Sequence, residues 1–223
     1  MRTLHHQWLC PFSRKVRIVL AEKKLAFEMV VENAWEENPE LLALNPACDV
    51  PVLVEPNGAV ISDSAAITEY LDESHLEPML LGDDLLARAE VRRLVGWFDV
   101  KFNRDVTIPL VGEKVFKRQM GIPGGPDSKL LRIGYAAIRD HLEYIGWLVE
   151  RRKWLAGENY SLADITAAAH LSCVDYIGDV PWDDVPPAKD WYARIKSRPS
   201  FRPLLTDHLP GISPPKHYAD LDF

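Results

Sequence analysis

Cysteine is scarce in this chain: Cys10, Cys48 and Cys173 are the three in 223 residues. They are too few and too scattered for a disulfide framework or a thiolate metal cage, and a reducing cytoplasm fits them best. Long apolar runs are missing as well. None approaches the roughly 18–20 residues that a membrane span needs, and Met1 leads straight into an alternating segment without a leader pattern. Low-complexity tracts are absent. Excess positive charge is lacking too: the net charge is −7, which argues against nucleic acid as a general partner. What is present is an ordinary globular mixture, 47% hydrophobic and 26% charged, long enough for one large core or two smaller ones.

The charge is unevenly spread. Residues 1–80 carry 6 Lys/Arg against 13 Asp/Glu, whereas residues 81–223 carry 20 of each. A change of that kind suggests two domains. The first third reads as short strands at 2–8, 27–31, 50–54 and 59–61, with helices from Ser13 to Lys24, ending near Leu44, and from Ser64 to Glu73. Pro56-Asn-Gly58 between the last two strands is a hairpin signal. This βαβαββα order implies a mixed sheet with helices on its faces over residues 1–78. From 84 onward the pattern is helical: amphipathic runs at 84–103 and 106–120, a break at Gly121–Pro126, then helices over 128–153, 162–177 and 188–197. Leu131, Tyr135, Ile138, Leu142, Ile145 and Val149 form the apolar stripe of the longest one. The helical domain is placed at 84–205. Residues 206–223 read as an irregular tail, because five prolines fall between Pro199 and Phe223.

Four local features carry chemistry or identity. Cys10-Pro-Phe-Ser13 opens the first helix, where the helix dipole favours a thiolate and Arg14, Lys15 and Arg17 add positive charge. Val50-Pro51 precedes the third strand, Asp63-Ser64 opens the third helix, and Ser161-Leu-Ala-Asp164 is a capping box. The α/β domain resembles thioredoxin. Followed by an all-α domain, it is similar to the cytosolic glutathione transferases, over about 200 residues in the right order. That resemblance implies a glutathione site at Cys10, Ser13, Val50, Pro51, Asp63 and Ser64, with a cis-proline at Pro51. Cys10 or Ser13 would be the catalytic candidate, against the structural alternative of Cys10 as a partly buried small residue and Ser13 as a helix cap. The segments His5–Arg17, Ala87–Arg93 and His217–Phe223 further resemble an alphaproteobacterial group of transferase-like proteins that bind the tubulin-like division GTPase FtsZ. The resemblance implies a cytoplasmic homodimer at the division site, acting on FtsZ filaments and supporting constriction.

The residues themselves divide between these readings. Relatives that bind glutathione often carry Lys, Arg or Gln shortly before the cis-proline, and this chain has Asp49 there. A carboxylate beside glutathione's carboxylates costs roughly 1–4 kcal/mol, enough to weaken binding about tenfold or more. Glutathione is therefore expected to bind weakly if at all, and no cofactor is required. His5 and His6 are adjacent on a strand and point to opposite faces, so no metal site is expected from them. Cys48 lies before the cis-proline as a lone thiol or a redox partner of Cys10, and Cys173 reads as core.

Trp35 stands in the charged run Glu32–Asn38 with no evident core to fill, and tryptophan is enriched at binding hot spots. It is expected at a protein-docking rim, with Trp8 lining or supporting the same cleft. Lys114, Lys117 and Arg118 are candidates to meet an acidic partner, against the default of a solvated face. In the tail, Tyr218, Leu221 and Phe223 are candidates to dock on the protein's own body or on a second division protein, against simple disorder.

Overall fold

The computed structural model describes residues 1–221, and Phe223 lies outside them. Strand β1 (Arg2–His6) and helix α1 (Pro11–Glu22) lead to β2 (Phe27–Val31), α2 (Pro39–Leu44), β3 (Val52–Val54), β4 (Val60–Ser62) and α3 (Ser64–Ser74). The sheet order is β2-β1-β3-β4. β1 pairs in parallel with β2, Leu4 opposite Met29, and antiparallel with β3, which pairs antiparallel with β4. The expected βαβαββα domain is present, with its hairpin turning at Gly58 (φ 86°), a left-handed position that glycine adopts freely. The Val50–Pro51 bond is cis.

The second domain is helical. α4 (Leu85–Gly96) continues without a break through Trp97–Phe116 into a last turn, α5 (Lys117–Gln119). After the Gly121–Pro126 break come α6 (Ser128–Val149), α7 (Leu162–Tyr176) and α8 (Pro186–Lys196). The two runs expected at 84–103 and 106–120 are thus one element. Its middle winds in wide π-type turns, and the reason is in the spacing. Phe98, Phe102, Val106, Leu110 and Val115 are all buried, a repeat of four to five that 3.6 residues per turn would rotate off one face. Pro109 is accommodated inside this segment.

The domains share one core and are pinned together by α1, which packs on α3 and, across the boundary, on α7. The charges of α1 were expected near Cys10. They are instead buried and paired with the helical domain and the tail: Lys15 with Asp99, and Arg14 and Arg17 with Asp207 (3.3 and 2.8 Å). Arg14 also donates to the Ser172 and Tyr218 hydroxyls. The tail is correspondingly ordered. Short 3-10 turns form at Arg202–Thr206 and Lys216–Tyr218, and Tyr218 is fully buried against the Tyr176 ring.

Candidate functional site: a closed thiol corner and an open aromatic cavity

The Cys10 corner is built by the β1–α1 turn. Cys10 occupies the cap position of α1 and is 7% exposed, with Pro11 in the first helical turn. Burial pushes its thiol up from the ordinary range and the charge of Asp49 adds to the rise, against hydrogen bonds from Ser13 and Phe12. The protonated thiol points at the Val50 carbonyl oxygen (3.8 Å). Between an activated thiolate and a partly buried structural residue, this geometry favours the second: removal from solvent outweighs the dipole. Ser13 is no better placed, being fully buried with its Oγ accepting from the Gln7 N–H (3.3 Å). All three cysteines are free; Cys173 is buried in α7 as expected.

Asp63 and Ser64 stand at the head of α3. The Asp63 carboxylate accepts from the Ala65 and Ala66 N–H groups (2.7 and 3.1 Å), from a backbone held at φ 73°. Together they line a cavity of about 460 Å³ with Phe12, Glu69, Arg92 and Asp99. Its guanidinium is already occupied, since Arg92 is bidentate to Glu69 (2.8 and 2.9 Å). Burial opposes the Asp99 charge, but His170 and Lys15 still hold its carboxyl below the usual range. Glu69 and Asp99 are themselves paired, with Arg92 and Lys15, so the lining holds no uncommitted cation for an anionic tripeptide. Neither Arg92 nor Asp99 was singled out in the sequence, because nothing local says that the 84–103 run is laid against the head of α3.

A second cavity, of about 310 Å³, opens on the far side of the β1–α1 turn. Trp8, Trp35, Val31, Phe116, Leu209 and Pro210 are among its walls. Trp35 sits on a single 3-10 turn (Ala34–Glu36), half-buried, its ring 6.5 Å from Phe116. Trp8 is braced from behind by the His6 ring edge (4.8 Å) and the Arg17 guanidinium (5.3 Å). The two tryptophans expected to share a cleft do so, but this cleft is separate from the one lined by Asp63 and Ser64. Phe116 was hidden within a charged run, and Leu209 and Pro210 within the tail.

The remaining candidates are redistributed. Lys114 is clamped by Asp179 (2.6 Å) and donates to the Tyr135 hydroxyl, and Lys117 is held by Glu113 (3.0 Å). Both cations are thus already paired within the chain, Lys114 with an aspartate just beyond α7 and Lys117 with a glutamate one turn earlier in its own helical segment. Arg118 is exposed, without an ion pair among the described residues. Of the two alternatives for Tyr218, the structure has it docked on the protein's own body: its hydroxyl donates to the Leu204 carbonyl and no part of it reaches solvent. Leu221 is half-buried.

The comparisons with known proteins bear on the family and the fold. The N-terminal domain signature of glutathione S-transferase matches residues 9–74, and the C-terminal one residues 136–199. The chain belongs to the glutathione S-transferase family. Within it, the chain is 51% identical to FtsZ-localized protein A of Caulobacter vibrioides, over 100% of this chain and 98% of that one. A glutathione S-transferase from Rhodospirillum rubrum superimposes with a TM-score of 0.98 at 59% identity, covering all of both chains. FzlA from C. crescentus superimposes with a TM-score of 0.97 at 51% identity, covering 100% and 99%. This transferase fold therefore spans the tail and the aromatic cavity as well as the thiol corner. Among the described residues, no helix is long and apolar enough to cross a membrane.

Proposed function

We propose that this transferase-fold chain is a largely non-catalytic adaptor of cell division. It binds FtsZ filaments as a homodimer, in the cytoplasm at the division site, and supports constriction. The observation that carries this reading is the 51% identity, over the entire chain, with FtsZ-localized protein A. The geometry supports it. The candidate nucleophiles are withdrawn from solvent, while an open aromatic cavity stands at the rim with Trp35 and Trp8 in its wall. Truncating a half-buried tryptophan at the centre of a docking site typically costs 2 kcal/mol or more, about thirtyfold in affinity. Trp35→Ala is expected to lose co-sedimentation with FtsZ filaments while keeping its circular dichroism and oligomeric state. Unchanged co-sedimentation removes the cavity from the interface.

A second reading, a glutathione-dependent transferase or thiol reductase using Cys10 or Ser13, is favoured by the Asp63–Ser64 pair in the wall of the 460 Å³ cavity. Titration calorimetry with glutathione separates the two. The adaptor reading expects affinity weaker than about 100 μM, that is, less than roughly 5.5 kcal/mol of binding. Tight binding, with turnover that collapses in Cys10→Ala or Ser13→Ala, would overturn it.

A further inference from the structure

The acidic domain ends its sheet on a strand that, among the described residues, no other element pairs with on its outer side. β2 is an edge strand, bonded to β1 alone. The Glu32 N–H donates to the His6 carbonyl (2.8 Å). Backbone polar groups alternate sides along a strand, so those of Glu28 and Val30 also turn toward β1. The groups of Phe27, Met29 and Val31 then face outward. Among the described residues no other element bonds to them. Soluble proteins usually protect such an edge with Lys, Pro, a bulge or a covering segment. Phe27–Val31 has neither Lys nor Pro, and its five-residue register with β1 runs without a bulge. Met29, Val30 and Val31 are 42%, 39% and 49% exposed, an unusual apolar run for a free edge.

Charge around this edge is predominantly negative. Of the six cations in residues 1–80, Arg14, Lys15, Arg17 and Lys23 are buried and paired, and Arg2 is held by Glu55; only Lys24 is exposed. Glu28, Glu36, Glu37 and Glu40 are all exposed on β2 and the loop that follows it. Val31 belongs both to the strand and to the wall of the Trp8–Trp35 cavity, which makes the edge continuous with the docking site.

We propose that β2 takes up an extended, basic and apolar segment of a partner polypeptide as a fifth strand, a reading that rests on the docking function above and gives the form in which the filament meets it. Main-chain hydrogen bonds to Phe27, Met29 and Val31 supply affinity, as in other cases of strand addition. The surrounding glutamates select cations on the incoming strand, and the aromatic cavity receives a side chain beyond Val31.

The test is hydrogen exchange of the full chain, read amide by amide by NMR, with a short alternating Lys-Val peptide as probe. Exchange at Met29 and Val31 is expected to slow about tenfold or more as their outward N–H groups acquire partners. A Glu-Val peptide, and a Lys-Val peptide N-methylated at alternate residues, are expected to leave it unchanged. Met29→Pro removes one outward donor and spares the ladder groups of Glu28 and Val30, so protection at Val31 should vanish, whereas Met29→Thr should keep it. Should the proline variant not fold, the N-methylated peptide carries the same test on the unaltered protein. No slowing with the basic peptide, or equal slowing with the N-methylated one, overturns strand addition. The docking reading fails separately: Trp35→Ala can lose FtsZ co-sedimentation while β2 stays unprotected, which sinks only the fifth strand. Protection of β2 without co-sedimentation of the unaltered protein sinks only the filament.

Discussion

His6 is fully buried, and neither of its ring nitrogens has a hydrogen-bond partner among the described residues. Burial lowers its pKa to about 4, with Arg17 adding to the effect and Asp207 opposing it. His141, buried as well and repelled by Lys101, is also lowered to about 4. In the unfolded chain each titrates near 6.5, so below that pH the unfolded state binds protons that the folded state does not. Stability is therefore full above about 6.5 and is lost as pH falls toward about 4, by on the order of 3 kcal/mol for His6. Urea midpoints measured across that range are expected to fall for the unaltered protein and less steeply for His6→Phe, which keeps the ring against Trp8. An identical slope would place the acid sensitivity elsewhere. At this scale the sequence was partly legible. A tryptophan amid glutamates advertised Trp35, and strand alternation put His5 and His6 on opposite faces, but nothing local marked His6 as the one turned inward.

The start of α7 is the element whose stability is most localised. One Asp164 oxygen accepts from the Leu155 N–H and the Trp191 indole (3.0 and 2.9 Å), the other from the Ser161 N–H and hydroxyl (3.1 and 3.2 Å). The residue is fully buried, and burial pushes its carboxyl pKa up against all four donors. Asp164→Ala strands those donors and should cost about 3–5 kcal/mol in urea unfolding. Asp164→Asn, which keeps one acceptor, should cost less. A loss below about 1 kcal/mol for the alanine variant would show that the carboxylate is dispensable. Ser-x-x-Asp is a local signal, and its capping box could be read directly. The helix from Leu85 to Gln119 could not, because a repeat of four to five with Pro109 in it looks like an interruption until packing against α6 and α7 is in place.

Across the molecule, the two domains are joined by charges that a helical wheel would assign to solvent. Arg14 and Arg17 converge on Asp207, 190 positions from Arg17, and the tail closes over them with Tyr218. A chain ending at Thr206 loses both Asp207 and Tyr218 and leaves two buried guanidiniums without a counter-charge. Such uncompensated burial costs about 3–5 kcal/mol, so calorimetry should find a clearly lowered Tm. A disordered tail would predict no change, and an unaltered Tm would mean that the pairs contribute nothing.

The sequence by itself determined the two-domain order, the strand and helix periods, the hairpin at Gly58 and the capping box at Ser161. These depend on residues within a few positions of one another, where period and cap chemistry act. Only the tertiary structure decided that Cys10 and Ser13 are closed off and that α1's cations face inward. It also placed the Asp63–Ser64 cavity apart from the aromatic one and docked the tail. Each of these depends on which distant carboxylate or aromatic ring arrives alongside, and burial, once it happens, outweighs the local preference of a charge for water or of a helix dipole for a thiolate.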